Sequence, residues 1–143
     1  MSIESARTAK LRSTFTRCRE TRIDALNDHA SLELSDSRHH LMVALDGGLV
    51  VGFVSAVHYV HPDKPAELWI NEVGVAPSHQ RQGLGKRLLQ ALFARGRELG
   101  CREAWVLTSP ANGPAVRLYE SVGGVDLADP PVMFTFRLAD IRE

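Results

Sequence analysis

Val73-Gly74-Val75-Ala76-Pro77-Ser78-His79-Gln80-Arg81-Gln82-Gly83-Leu84-Gly85-Lys86-Arg87 is the stretch on which the fold turns. A β-prone run meets Pro77, which cannot donate to a strand ladder and so halts it. From Gly83 onward the period changes. Leu84, Leu88, Leu92 and Leu99 share one helical face, Leu89 and Phe93 lie beside them, and Gly100 is a natural stop. A strand therefore runs through a loop into the N-terminus of a helix. The first N–H groups of a helix have no intrahelical partner, and the dipole places partial positive charge there. Gly83 and Gly85 let the backbone approach an anion without an intervening Cβ, and Arg81, Lys86 and Arg87 add charge. That corner suits a phosphate or pyrophosphate. It is not a P-loop, which needs G-x-x-x-x-G-K-[ST], and only G-x-G of the dinucleotide-binding fingerprint is present. Lys86-Arg87-Leu88 also offers no Mg²⁺ ligand of the kind a nucleotide phosphate would require.

Toward the N-terminus, Glu67 to Val75 reads as a strand preceded by a turn with two prolines, His61 to Pro65. Leu49 to Tyr59 is Val-rich, His40 to Leu45 is apolar, and Asp46-Gly47-Gly48 between them is a hairpin turn signal. Residues 1–38 are weakly patterned, with Leu11, Phe15, Ile23 and Leu26 spaced for one or two short helices. Toward the C-terminus, Glu103 to Thr108 reads as a short strand. A second helix takes Pro114 in its first turn and stops at Gly123-Gly124. Asp129-Pro130-Pro131 is a turn, and Val132 to Leu138 reads as a closing strand. The order is helix, strand, strand, strand, helix, strand, helix, strand: a mixed α/β (α+β) fold with helices packed on a sheet.

The 143 residues fit one domain, 1–143, and 44% hydrophobic content supports a buried core. Lys plus Arg and Asp plus Glu both number 17, so no basic excess marks a nucleic-acid partner. Cys18 and Cys101 match no zinc or redox spacing and fit a reducing cytoplasm. The six histidines show no metal-ligand pairing, so no metal is expected. Arg7, Lys10, Arg12, Arg17, Arg19 and Arg22 replace the apolar region of a secretory signal, and no run is long enough to cross a bilayer. A membrane partner is therefore not expected.

Val73-x-Val75-x-Pro77, then Gln80-x-x-Gly83-x-Gly85 and the Leu-rich helix closely resemble the acetyl-CoA motif of the GNAT superfamily of N-acetyltransferases. Asn112-x-x-Ala115-x-x-Leu118-Tyr119-Glu120-x-x-Gly123 resembles the second signature of that superfamily, and the resemblance runs from about His40 to Leu138. It implies a GNAT fold: a central mixed, mostly antiparallel sheet, splayed at the acetyl-CoA site, with helices on both faces. It implies that Val73 and Val75 pair with the pantetheine arm through their backbones. It places the pyrophosphate on the N–H groups of Arg81, Gln82, Gly83, Leu84, Gly85 and Lys86, with Gln80 within the motif. Asn112 and Ala115 would meet the cofactor arm, the other reading of Asn112 being a helix-start residue. Tyr119 would stand near the coenzyme sulfur as the acid for the leaving thiolate, or else be a packed aromatic of the second helix.

An amine attacks a thioester only when neutral, so the reaction needs a base, an oriented thioester and an acid. No Cys–His or Ser–His pairing stands in a recognisable context, which favours direct attack over an acyl-enzyme. Glu72 is the candidate base. Strand alternation puts it on the face of Leu68 and Ile70, opposite Val73 and Val75, where apolar neighbours would tighten its hold on a proton. The other reading is a surface Glu on a sheet edge.

Within the superfamily, Tyr59-Val60-x-Pro62, Glu67 to Val75, Gly113-Pro114-Ala115-Val116-x-Leu118-Tyr119 and the Val132 to Phe134 stretch resemble the small aminoglycoside 3-N-acetyltransferases. That implies an aminoglycoside acceptor and antibiotic resistance. The loop Ser109-Pro110-Ala111-Asn112 departs from theirs, which is acidic. Asp36, Asp63, Glu67, Glu120, Asp126 and Asp129 are left as the candidates for a negative rim. A polyamine, another small amine or a protein amine are the other acceptors, and a non-catalytic acetyl-CoA-binding protein is the rival class. The resemblance also implies a cytoplasmic homodimer, with the Val132 to Leu138 strand pairing across a two-fold axis.

Overall fold

A computed structural model of the chain describes residues 1–6 and 35–140. Its centre is the Val-rich strand β3 (Leu49–Tyr59), buried from Val50 to Ala56 because β-branched residues pack on both faces of a sheet interior. β2 (His39–Asp46) pairs with it antiparallel through the expected turn, where Gly47 (φ 55°) and Gly48 (φ 80°) both take the positive φ of a primed hairpin. β4 (Glu67–Val75) pairs antiparallel on the other side of β3. Helix α1 (Leu84–Glu98) then crosses over, and β5 (Glu103–Val106) joins β4 in parallel. A second helix, α2 (Gly113–Ser121), follows. The outer edge holds an element not expected from sequence, β1 (Ser2–Ser5), antiparallel to β2. With Ile3 as its one apolar residue, Ser2-Ile3-Glu4-Ser5 carries no alternation signal. The sheet order is β1-β2-β3-β4-β5.

Leu84, Leu88, Leu89 and Leu92 of α1 are each at most 2% exposed and pack with Val43, Val54, Leu68 and Ile70. A Cβ on Gly96 would lie 3.2 Å from Leu68 Cδ2, so α1 approaches the sheet at backbone distance. Of the helices expected on both faces, α1 covers this one. The residues expected to supply the first helix, Leu11 to Leu26, lie outside the described residues.

β4 departs from simple alternation. Ser55 pairs with Glu72 but Ala56 pairs with Ile70, so Asn71 is an extra residue, a β-bulge. Leu68 and Ile70 point toward α1. So does Val75, which shares a neighbourhood with Leu88 around Gly52. Gly74 faces the opposite side, against Phe53. The bulge thus corrects the expected facing: Glu72 lies opposite Leu68 and Ile70, and Val73 and Val75 share their face. β5 is also shorter than expected, ending at Val106 rather than Thr108, and its last pair is Ile70 with Val106. Beyond that pair the two strands part.

The expected closing strand does not form. Val132 to Arg137 is extended coil, followed by a 3-10 turn at Leu138–Asp140. Val132, Phe134 and Phe136 are 78%, 76% and 74% exposed. A strand needs a ladder partner, and Pro130 and Pro131 ahead of this segment have no N–H to offer one. Among the described residues no helix is long and apolar enough to cross a membrane.

Gly74→Ala tests the β4 packing. Its Cβ would meet Phe53 Cε1 at 2.6 Å, inside a ring only 1% exposed. The expected loss is about 1–3 kcal/mol, read as a lower urea midpoint with unchanged slope. An unmoved midpoint would show that the ring can swing aside.

Candidate active site

The corner between β4 and α1 is held from below. Ala76 N–H donates to the Val51 carbonyl at 2.8 Å, and Pro77–His79 forms a 3-10 turn. Gln80 Nε2 returns to the Val75 carbonyl at 3.1 Å, and Gln82 Nε2 lies 3.5 Å from the Ser78 carbonyl. Arg81 (φ 61°) and Gly83 (φ 77°) both adopt the left-handed region, which turns the chain sharply into the helix. The residue in the cap position is Gly83, so no side chain caps α1, and its first turn holds no acid. The first ladder bond runs from Arg87 N–H to the Gly83 carbonyl, 3.1 Å. The N–H groups of Leu84, Gly85 and Lys86 therefore precede the ladder and face outward at the positive end of the dipole. Arg81, Lys86 and Arg87 are exposed, and none makes a salt bridge with another described residue. Helix starts are ordinarily closed by Ser, Thr, Asp or Asn. This one is left open to an anion.

The two glycines of the motif have different work. Gly83 supplies the turn. A Cβ on Gly85 would sit 3.0 Å from Leu118 Cδ2, so this buried glycine serves the close approach of α1 and α2.

Beside that corner lies the side of β4 from Asn71 to Val75 that β5 leaves unpaired. The second helix, α2, begins at Asn112, whose Oδ1 accepts from Ala115 N–H at 3.3 Å, with Pro114 in the first turn. Asn112 is therefore a helix cap here, as one reading allowed. Leu118 and Tyr119 pack against the core. Burial pushes the Tyr119 phenol up from its ordinary value, so it keeps its proton at neutral pH. Glu72 is exposed, on the face opposite Leu68 and Ile70 where the bulge sets it, so it does not share their apolar face as expected. Burial likewise pushes the Cys101 thiol up, the wrong direction for a nucleophile.

Other polar side chains near the sheet ends are engaged. Lys64 Nζ lies 2.6 Å from Glu67 and His61 Nε2 lies 3.2 Å from it, and both lower that carboxyl, Lys64 more. A two-pronged Arg38 contact holds the Asp36 carboxyl far below the usual range. His58 Nδ1 shares a hydrogen bond with His40 Nε2 at 2.8 Å, His40 being buried. His79 Nε2 lies 3.0 Å from Asp46 Oδ2. Trp69 and Trp105 stack at 4.8 Å and are 38% and 39% exposed. Sequence reading missed the bulge at Asn71 and the His79–Asp46 bond. Neither has a local signal, since each depends on what a neighbouring element presents.

A family model described as the acetyltransferase (GNAT) family matches residues 3–124. Streptothricin acetyltransferase of Streptomyces lavendulae is 34% identical over 96 residues, 67% of this chain and 49% of that protein. The chain spans about a quarter to a half of the length of the curated relatives it matches. Among solved structures, an aminoglycoside acetyltransferase from an uncultured soil metagenomic sample, in complex with trehalose, superposes with a TM-score of 0.79 at 23% identity, covering 96% of this chain and 95% of that one. The aminoglycoside N-acetyltransferase AAC(6')-Iy in complex with CoA gives 0.74 at 23% identity over 95% and 99%. These likenesses show the fold.

Gly83→Ala forces an L side chain to φ 77° in otherwise open space, a strain of about 1–2 kcal/mol. CoA should bind several-fold more weakly to this variant by calorimetry. Equal affinity would mean that the left-handed turn is not needed to aim the amides.

Proposed function

Because the chain belongs to the acetyltransferase (GNAT) family, we propose that it is an acetyl-CoA-dependent N-acetyltransferase acting by direct attack of a primary amine in a ternary complex. The observation that carries this reading is the pairing of two features. An uncapped, acid-free start of α1 lies beside β4, and among the described residues β4 has no strand on its β5 side from Asn71 onward. A pyrophosphate suits the first feature and an extended amide-bearing arm the second.

Acetyl-CoA supplies the activated acetyl group, and the chain supplies position and protons. The N–H groups from Arg81 to Lys86, with Gln80 beside them, take the pyrophosphate. The backbone of Val73 and Val75 aligns the arm, and Asn112 and Ala115 bound it from α2. Glu72, solvent-accessible past the bulge, accepts the amine proton directly or through one water. A backbone N–H near Val73 steadies the developing oxyanion. As the C–S bond breaks, Tyr119 passes its proton to sulfur, a role its half-buried, protonated phenol supports.

For the acceptor we propose an aminoglycoside-type polyamine sugar. It is supported by the motif resemblance, by the names of the matched structures and by the streptothricin relative. Attack at a 3-amino group rests on the motif resemblance alone. A polyamine, another small amine and a protein amine are the competing outcomes of an acceptor screen, and a binder without turnover is the rival class. The enzyme is read as cytoplasmic, working without a metal.

We also read the enzyme as a homodimer. Val125, Leu127, Val132, Met133, Phe134, Phe136 and Leu138 all lie 63% or more exposed in the single chain. A second copy with a free β5 edge is a partner that would cover them.

Tyr119→Phe should lower kcat by roughly ten- to a thousandfold with little change in CoA affinity. Because burial raises the phenol, wild-type activity should persist to alkaline pH and fall as Tyr119 ionises, a limb the Phe variant lacks. Glu72→Gln should lose most activity at low pH, where the amine is hardest to deprotonate. A pH-independent loss would remove it as base. By light scattering the full chain should be dimeric and a chain ending at Asp129 monomeric. A monomeric full chain would end the dimer reading.

A further inference from the structure

We propose that Asp46, in the β2–β3 turn, is a positioning residue that holds the pyrophosphate loop in its binding shape through His79. This rests on the acetyl-CoA reading above and adds a residue from outside both signatures.

The loop from Pro77 to Gly83 has little reason to keep its form by itself. Arg81 sits at φ 61°, a conformation that non-glycine residues adopt only when their surroundings require it. On its far side the loop is fixed by entry into α1. On its near side, the side-chain bonds of Gln80 and Gln82 run back to Val75 and Ser78, within the same strand and loop. They tie the turn to the end of β4, as the Ala76–Val51 bond ties its start to β3, but none of them reaches the β2–β3 turn. The His79 bond does. Its Nε2 lies 3.0 Å from Asp46 Oδ2, thirty-three residues away in sequence, and Nδ1 shares a 2.8 Å bond with Ser78 Oγ.

Both ring nitrogens are thus engaged, so the imidazole has a defined roll. A neutral ring donates from Nε2 to the carboxylate and accepts from the Ser78 hydroxyl at Nδ1. A charged ring donates at both. The tether holds in either state. The anchor is also firm. Asp46 closes the β2 ladder opposite Leu49, directly before the two positive-φ glycines of the hairpin turn. The His79 side chain is 21% exposed and that of Asp46 51%, so the bond is partly screened and its effect moderate. Its value lies in pre-ordering. A loop already in shape surrenders less entropy when its amides close on a ligand.

Calorimetry and kinetics on Asp46→Ala, Asp46→Asn, His79→Ala and the double alanine variant test this. We expect each single alanine variant to weaken CoA and raise the KM for acetyl-CoA by about 3- to 10-fold. Saturated kcat should be unchanged. The double variant should be no worse than either single one. Asp46→Asn should retain most affinity, because its amide oxygen still accepts from Nε2. Pantetheine, which lacks the pyrophosphate, should bind all four as it binds the wild type. In the free variants, amides of residues 80–86 should exchange hydrogen faster. Wild-type CoA affinity in Asp46→Ala, or an equal loss of pantetheine, overturns the proposal. Failure of the wild type to bind CoA would instead sink the acetyl-CoA reading, and hydrogen exchange would still decide whether the tether orders the loop.

Discussion

A β-ladder that stops early is what the rest of this structure is arranged around. β4 and β5 pair from Glu67–Glu103 to Ile70–Val106 and then separate. Past that point one side of β4 presents backbone N–H and C=O groups with no neighbouring strand among the described residues. Such groups are costly if dry, so they must meet water or an extended ligand. The parting is reinforced within β4 itself. The extra residue at Asn71 increases local twist and bends the strand where pairing is lost. The same bulge turns Glu72 away from the core. One irregularity therefore lies where the pairing ends and exposes the carboxylate next to it.

Helix α1 ties this gap to the stability of the whole domain. Its leucines supply much of the core under the sheet, so its axis cannot shift without disturbing Val43, Val54 and Leu68. Its N-terminus is consequently a fixed object, aimed by packing far from the loop. Gly85 brings α2 against it at close range through Leu118, beside which Tyr119 packs against the same core. Core packing thus places the anion corner, and helix-helix contact places the phenol. A dipole end held this firmly needs no reorganisation to meet charge, which is the condition for electrostatics to be effective in binding and catalysis.

Much of this is legible in the sequence, for reasons specific to each element. β3 and β4 carry strong β-branched patterns, and the turn between β2 and β3 is announced by its glycines. α1 has an unbroken leucine period, and the loop before it shows its glycines and cations directly. Other features could not be read in this way. A bulge at Asn71 depends on the register against β3, so strict alternation gave Glu72 the wrong face. β1 is too short and polar to show a period. Val132 to Leu138 has the composition of a strand, but composition cannot supply the partner that a ladder needs. The Asp46–His79 bond joins positions that only the folded sheet brings together.

The charge around the cleft narrows the chemistry of the acceptor further than net charge can. With Lys64 and His61 on Glu67 and Arg38 on Asp36, two of the carboxylates named as candidates for a negative rim are already compensated locally. The loop from Ser109 to Asn112 adds none. A polycation would therefore have to be held by Glu72, Glu120 and carboxylates farther along the chain, or by groups from a second copy. The exposed apolar segment after Asp129 is the part of the chain best suited to bring a second copy close. Under the dimer proposed above, the acceptor side would draw its carboxylates from both copies.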